Sequence, residues 1–141
     1  MKRVAFVPIR LNSQRVEGKN LRELGGRPLM TYLLETLTRV ENIDEVYVYC
    51  SNPDVQEFFP NDKIKFLQRS VSLDQNTTTG NDILKSFAND VDADIYLLAH
   101  ATAPFVSKES FEKGLKAVYS GEYDSAFAAE KMQDFLWKKY I

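Results

Sequence analysis

The sequence predicts a three-layer α/β domain with a mostly parallel sheet between its helices. Two observations carry that prediction. Runs such as Tyr47-Val48-Tyr49 and Ile95-Tyr96-Leu97-Leu98 are continuous, apolar and rich in β-branched or aromatic residues. Such runs mark strands covered on both faces. They also alternate with helical patterns over short connections, which builds right-handed βαβ units.

In chain order, strands are expected at residues 4–9, 45–50, 64–68, 94–99 and 125–129. Helices are expected at 28–40, 53–59, 81–91 and 108–119. Leu33, Leu34, Leu37 and Val40 give the first helix its apolar stripe. Asn52 and Pro53 read as an N-cap followed by proline at the first helical position. Ser107 can cap the last helix, and Gly121 lies just beyond its end. No internal repeat, low-complexity tract or linker divides the chain, so residues 1–141 read as a single α/β domain.

Composition narrows the function classes. The chain of 141 residues is 44% hydrophobic and 27% charged, as ordinary globular domains are. No apolar run approaches the ~20 residues that span a bilayer, and the N-terminus opens on a strand rather than a signal peptide. The single cysteine, Cys50, cannot form an internal disulfide; a buried structural thiol in a reducing cytoplasm is expected. A net charge of −2 argues against a general nucleic-acid binder, yet the charge is uneven. Residues 1–27 carry seven Lys/Arg against two Asp/Glu, and residues 28–141 carry eleven against eighteen. Positive charge is gathered around the first loop, as docking of a small anion requires. A solvated basic surface is the plain alternative.

That loop, residues 7–20, leaves the carboxyl end of the first strand, where open α/β sheets bind ligands. It carries Arg10, Arg15 and Lys19, with Asn12, Ser13, Gly18 and Asn20 between them. Arg offers a planar fork to phosphate oxygens and Lys a mobile point charge, so the set suits a polyphosphate. Neither a Walker A loop nor a G-x-G-x-x-G fingerprint is present.

The spacing Ile9-Arg10-x-x-Ser13-Gln14…Lys19-Asn20-Leu21, followed by Gly26-Arg27-Pro28-Leu29, resembles the opening motif of the acylneuraminate cytidylyltransferases (CMP-sialic acid synthetases). Ile9 stands where that family usually has alanine. The resemblance implies a Rossmann-like α/β/α sandwich of the nucleotide-diphospho-sugar transferase type. It also implies a reaction: the anomeric hydroxyl of an acidic, sialic-acid-like nonulosonic sugar attacks the α-phosphate of CTP and releases pyrophosphate. Charge then builds on phosphate oxygens, so catalysis is mainly positioning and electrostatic stabilisation. By the resemblance, Arg10 and Lys19 hold and neutralise the triphosphate as catalytic groups, Arg15 assists, and Ser13 and Asn20 orient phosphate or ribose oxygens. Mg²⁺ is the implied cofactor.

Two further segments follow later strands. Arg69 and the turn Thr77-Thr78-Thr79-Gly80 fall where the family forms its cytosine and ribose pocket; helix capping is the alternative for the threonines. His100 stands where relatives have glutamine near the sugar and the reacting phosphate, and Thr102 matches the family, so both are expected to bind the acceptor. His100, the only histidine, can donate a hydrogen bond or titrate. The related KDO cytidylyltransferases carry a Gly-Asp-Glu-Pro type motif here, which His100-Ala101-Thr102-Ala103-Pro104 lacks. A KDO-type acceptor, or an inactive nucleotide-binding module, is the rival reading. Family members usually continue for most of another hundred residues, carrying dimer contacts and a pair of metal-binding aspartates. The chain therefore reads as cut short, with a homodimer expected at full length. Phe135, Leu136, Trp137 and Tyr140 are expected to pack on another chain or a further segment. Were metal ligands to lie within this chain, Asp74, Asp82 and Asp124 would be the candidates.

Overall fold

The computed structural model describes residues 1–11 and 18–139. Ser13 and Arg15 of the first loop, and Tyr140, fall outside them. A four-stranded parallel sheet forms the middle layer: β1 (Arg3–Ile9), β4 (Glu45–Cys50), β5 (Ile64–Gln68) and β6 (Ile95–Leu98), in the order β5-β4-β1-β6. A small antiparallel hairpin, β2 (Glu23–Leu24) and β3 (Arg27–Pro28), stands apart from it. The helices are α1 (Leu29–Arg39), α2 (Gly80–Asp90) and α3 (Lys108–Tyr119).

Period-2 alternation sorts each central strand between two cores. Ala5, Val7 and Ile9 of β1, with Val46, Val48 and Cys50 of β4, pack against Met30, Leu33, Leu34 and Leu37 of α1. Those α1 positions recur at helical spacing, which is why one face of the helix is wholly buried. Val4, Phe6 and Tyr49 point the other way, onto Phe87 of α2. Leu115 of α3 joins Val40 and Ile95 in a third cluster. Phe87 anchors the α2 side: its ring stacks on Phe6 at 4.0 Å between centroids and meets Tyr49 edge-on at 5.3 Å. The sheet is therefore covered on both faces, the expected three-layer α/β/α arrangement.

The strands expected at 45–50 and 64–68 and the helix at 108–119 form with those bounds. Asn52, Thr79 and Ser107 each accept a backbone N–H as N-caps, and Gly121 adopts φ 81° past the last helix. Three expectations change. Residues 53–58 form a 3-10 helix rather than an α-helix, a segment too short to repay α-helical nucleation. Residues 125–129 form no strand; Phe127 is 90% exposed, and β-formers without a ladder partner have nothing to pair with. The β2–β3 hairpin was not expected at all. Gly25 and Gly26 turn it at φ 61° and 81°, the positive values that tight two-residue hairpins demand.

Burial also settles Cys50. It is fully buried and unpaired, and burial pushes its thiol pKa up. A protonated thiol inside a core is a packing group rather than a nucleophile.

Candidate functional site

The chain moves leftward from β1 to β4 and β5, then crosses over the sheet to β6 on the other side of β1. The order reverses between β1 and β6, and crevices at such switch points, outside the carboxyl ends of the strands, are where open α/β sheets take ligands. A cleft of about 260 Å³ lies there. Arg10 enters it from the end of β1, Lys19 and Asn20 from the short 3-10 turn Lys19–Leu21, and Arg69 from the end of β5. Thr78 reaches it ahead of α2, and His100 and Thr102 from beyond β6.

Seven of the residues expected from sequence thus line one cleft. Thr77 and Thr79 do not line it. The Thr79 hydroxyl is engaged elsewhere, donating to Asp82 Oδ2 at 2.8 Å and accepting from the Asp82 N–H at 3.2 Å. This reciprocal box caps α2.

The local chain explains each placement. Asn20 is buried and its Nδ2 donates to the Arg10 carbonyl at 3.0 Å, joining the 3-10 turn to the end of β1. Arg10 Nη1 donates to Asn76 Oδ1 at 3.1 Å and, more weakly, to the Asp74 carbonyl at 3.4 Å. The loop after β1 is so tied to the turn after β5. Arg69 is almost fully buried. Its guanidinium donates to Asp74 Oδ1 through Nη2 at 2.6 Å and Nε at 3.3 Å, while Ser51 Oγ donates to the other carboxylate oxygen at 2.5 Å.

Among the described residues the charge lining the cleft has one sign: Arg10, Lys19 and Arg69 line it, and none of the described lining residues carries a carboxylate. Leu73 and Ile83 add an apolar wall. Gln75 completes that side. Cationic forks beside an apolar wall suit a ligand with phosphates at one end and a flat base at the other.

Among the described residues no group of three or more His, Cys, Asp or Glu side chains is placed to hold a metal ion. Of the three aspartates considered from sequence, Asp74 is occupied by Arg69 and Ser51 and Asp82 by the α2 cap, while Asp124 is exposed and does not line the cleft.

Fold and cleft together define an α/β nucleotidyltransferase-type domain, and the comparisons agree. The sequence model of the Cytidylyltransferase family matches residues 4–135; the chain belongs to that family. It is 25% identical over 130 residues to 3-deoxy-manno-octulosonate cytidylyltransferase 2 of Hydrogenovibrio crunogenus, covering 90% of this chain and 51% of that protein. It is 21% identical over 136 residues to N-acylneuraminate cytidylyltransferase of Oncorhynchus mykiss, covering 96% of this chain and 32% of that protein. The solved structure of CMP:2-keto-3-deoxy-manno-octonic acid synthetase complexed with CTP superposes with a TM-score of 0.72 at 25% identity. That match covers 86% of this chain and 49% of the solved one. The chain spans about half the length of the octulosonate relatives it matches. Of these relatives, the octulosonate enzymes share more of its sequence than the neuraminate enzyme. The sialic-acid-type resemblance is thereby broadened to the family as a whole. No described helix is long and apolar enough to cross a membrane.

Proposed function

We propose that the chain carries the CTP-binding part of a cytoplasmic cytidylyltransferase that activates an acidic 2-keto-3-deoxy sugar, giving a CMP-sugar and pyrophosphate. The observation that carries this reading is the cleft at the switch point, lined by Arg10, Lys19, Arg69 and His100 with no carboxylate among its described lining residues. Arg10 and Lys19 hold the triphosphate and draw off charge as the α-phosphate is attacked. Arg69 and Thr78 face the base and ribose. His100 and Thr102, across the cleft, receive the acceptor sugar and its carboxylate.

The acceptor class covers two sugars. The octulosonate relatives, at 25–26% identity, favour an eight-carbon acid; the His100-Ala101-Thr102 segment, without the acidic motif expected of such enzymes, favours a nine-carbon one. Mg²⁺ would travel with the CTP phosphates, since it keeps several waters and needs few protein carboxylates. A homodimer that covers the exposed Phe127, Phe135, Leu136 and Trp137 belongs to the same proposal.

Pyrophosphate release tests it, with CTP, Mg²⁺ and a panel of eight- and nine-carbon keto acids, on this chain and on any longer protein that contains it. Release that depends on CTP and one of those acids is expected. Release with neutral sugar phosphates instead would contradict the reading, and CTP binding without release in every form would favour a binding module.

A further inference from the structure

Asp74 lies outside the residues that line the cleft, yet it touches two of its three cationic side chains. Its carboxylate takes Nε and Nη2 of Arg69, and its backbone carbonyl accepts from Arg10 Nη1. Ser51, at the end of β4, fixes the second carboxylate oxygen. The turn that presents Asp74, a 3-10 helix at Val71–Asp74, is itself capped by the Ser70 hydroxyl. Arg69 is held from behind by the adjoining strand as well, its N–H donating to the Cys50 carbonyl at 3.0 Å.

We propose that Asp74 is a positioning residue for base selection, locking the Arg69 guanidinium so that only a pyrimidine with adjacent acceptors fits the cleft. This rests on the CTP reading above and adds how the base is chosen. A guanidinium has N–H donors on three nitrogens and no acceptor. With Nε–H and one Nη2 proton turned to Asp74, the parallel N–H bonds of Nη1 and Nη2 remain as a fork of donors alone for a ligand in the cleft. Cytosine offers neighbouring acceptors at O2 and N3. Uracil carries a proton on N3, so the same fork meets a donor there. Freed from Asp74, the side chain could rotate and accommodate either base. Selectivity in this arrangement comes from the second carboxylate-bound layer rather than from a group that touches the nucleotide. Sites built from buried, pre-oriented polar groups discriminate steeply for this reason.

The test is calorimetric titration of CTP and UTP into the wild-type chain, Asp74→Ala, Asp74→Asn, Arg69→Ala and the Arg69→Ala/Asp74→Ala double variant. The CTP-to-UTP affinity ratio should fall by about tenfold in Asp74→Ala, the worth of one correctly aimed charge-assisted bond. It should fall by less in Asp74→Asn, which keeps an acceptor of the same shape. In the Arg69→Ala background the Asp74 change should leave the ratio unaltered, because the effect passes through Arg69. A merely structural Asp74 would lower the melting temperature and weaken both nucleotides equally. Should Asp74→Ala fail to fold, Asp74→Asn still carries the comparison. A wild-type preference for CTP that survives in the folded Asp74 variants overturns this inference alone. A wild-type chain with no such preference overturns the functional reading and this inference with it.

Discussion

Arg10→Ala is expected to weaken CTP binding roughly ten- to a hundredfold while leaving the melting temperature nearly unchanged. The asymmetry follows from what Arg10 does in the folded chain. Its guanidinium makes one exposed bond, to Asn76 Oδ1 at 3.1 Å, and one long bond, to the Asp74 carbonyl at 3.4 Å. Contacts of that kind contribute less than about 1 kcal/mol to stability. Against a phosphate the same group makes a charge-assisted bond of about 1.5–3 kcal/mol, and 1.4 kcal/mol is about tenfold in affinity. Calorimetry with CTP reads the binding and thermal denaturation reads the fold. Unchanged CTP affinity in a folded variant would refute the reasoning. A melting drop beyond about 4 °C would show that Arg10 is a structural tie instead.

Phe87→Ala removes the ring on which Phe6 stacks and which Tyr47, Tyr49 and Tyr96 meet edge-on; urea denaturation should show a loss of about 3–5 kcal/mol. Thr79→Ala dismantles the α2 capping box and should cost about 1 kcal/mol of stability, whereas Thr78→Ala, on the cleft wall, should cost CTP affinity and little stability. Glu45, bonded to Lys65 Nζ at 2.5 Å, the Tyr47 hydroxyl and Lys2, has its pKa drawn down from 4.5 to about 2, chiefly by Lys65. A carboxylate with a lowered folded pKa contributes stability above its unfolded value and loses it as pH falls toward the folded one. Wild type should therefore shed stability between about pH 4.5 and 2 through this group, and Glu45→Gln should flatten that part of the acid limb.

The strand at 45–50 announces itself because β-branched and aromatic residues satisfy both covered faces at once. The edge strand at 64–68 is less buried, with Lys65 and Gln68 exposed, and its run Ile64, Phe66 and Leu67 still marks it. Capping residues were equally plain, since Asn52, Thr79 and Ser107 act on chain only two or three residues away. The β2–β3 hairpin was missed although Gly25-Gly26 is a turn signal, because the surrounding residues alternate too briefly to suggest strands. The strand expected at 125–129 failed for the opposite reason: local propensity was present and the ladder partner was not. In the cleft, Arg10, Lys19, Asn20, Arg69, Thr78, His100 and Thr102 were all named from sequence: the first three from the cationic loop after the first strand, the others from positions that the family resemblance marks. Asp74 was not read as a site residue of this kind. Its pairing with Arg69 depends on how the 3-10 turn folds back, and its bond with Ser51 joins residues 23 apart in sequence; no periodic pattern encodes either.

The most direct test of the account is a calorimetric titration of the chain with CTP, UTP, ATP and GTP under one buffer and salt condition. Arg10, Lys19 and a buried, pre-oriented Arg69, in a cleft with no carboxylate among its described lining residues, predict saturable 1:1 binding of CTP, tighter than each of the others by about tenfold or more. Equal affinity for all four nucleotides, or no binding of CTP, would contradict it.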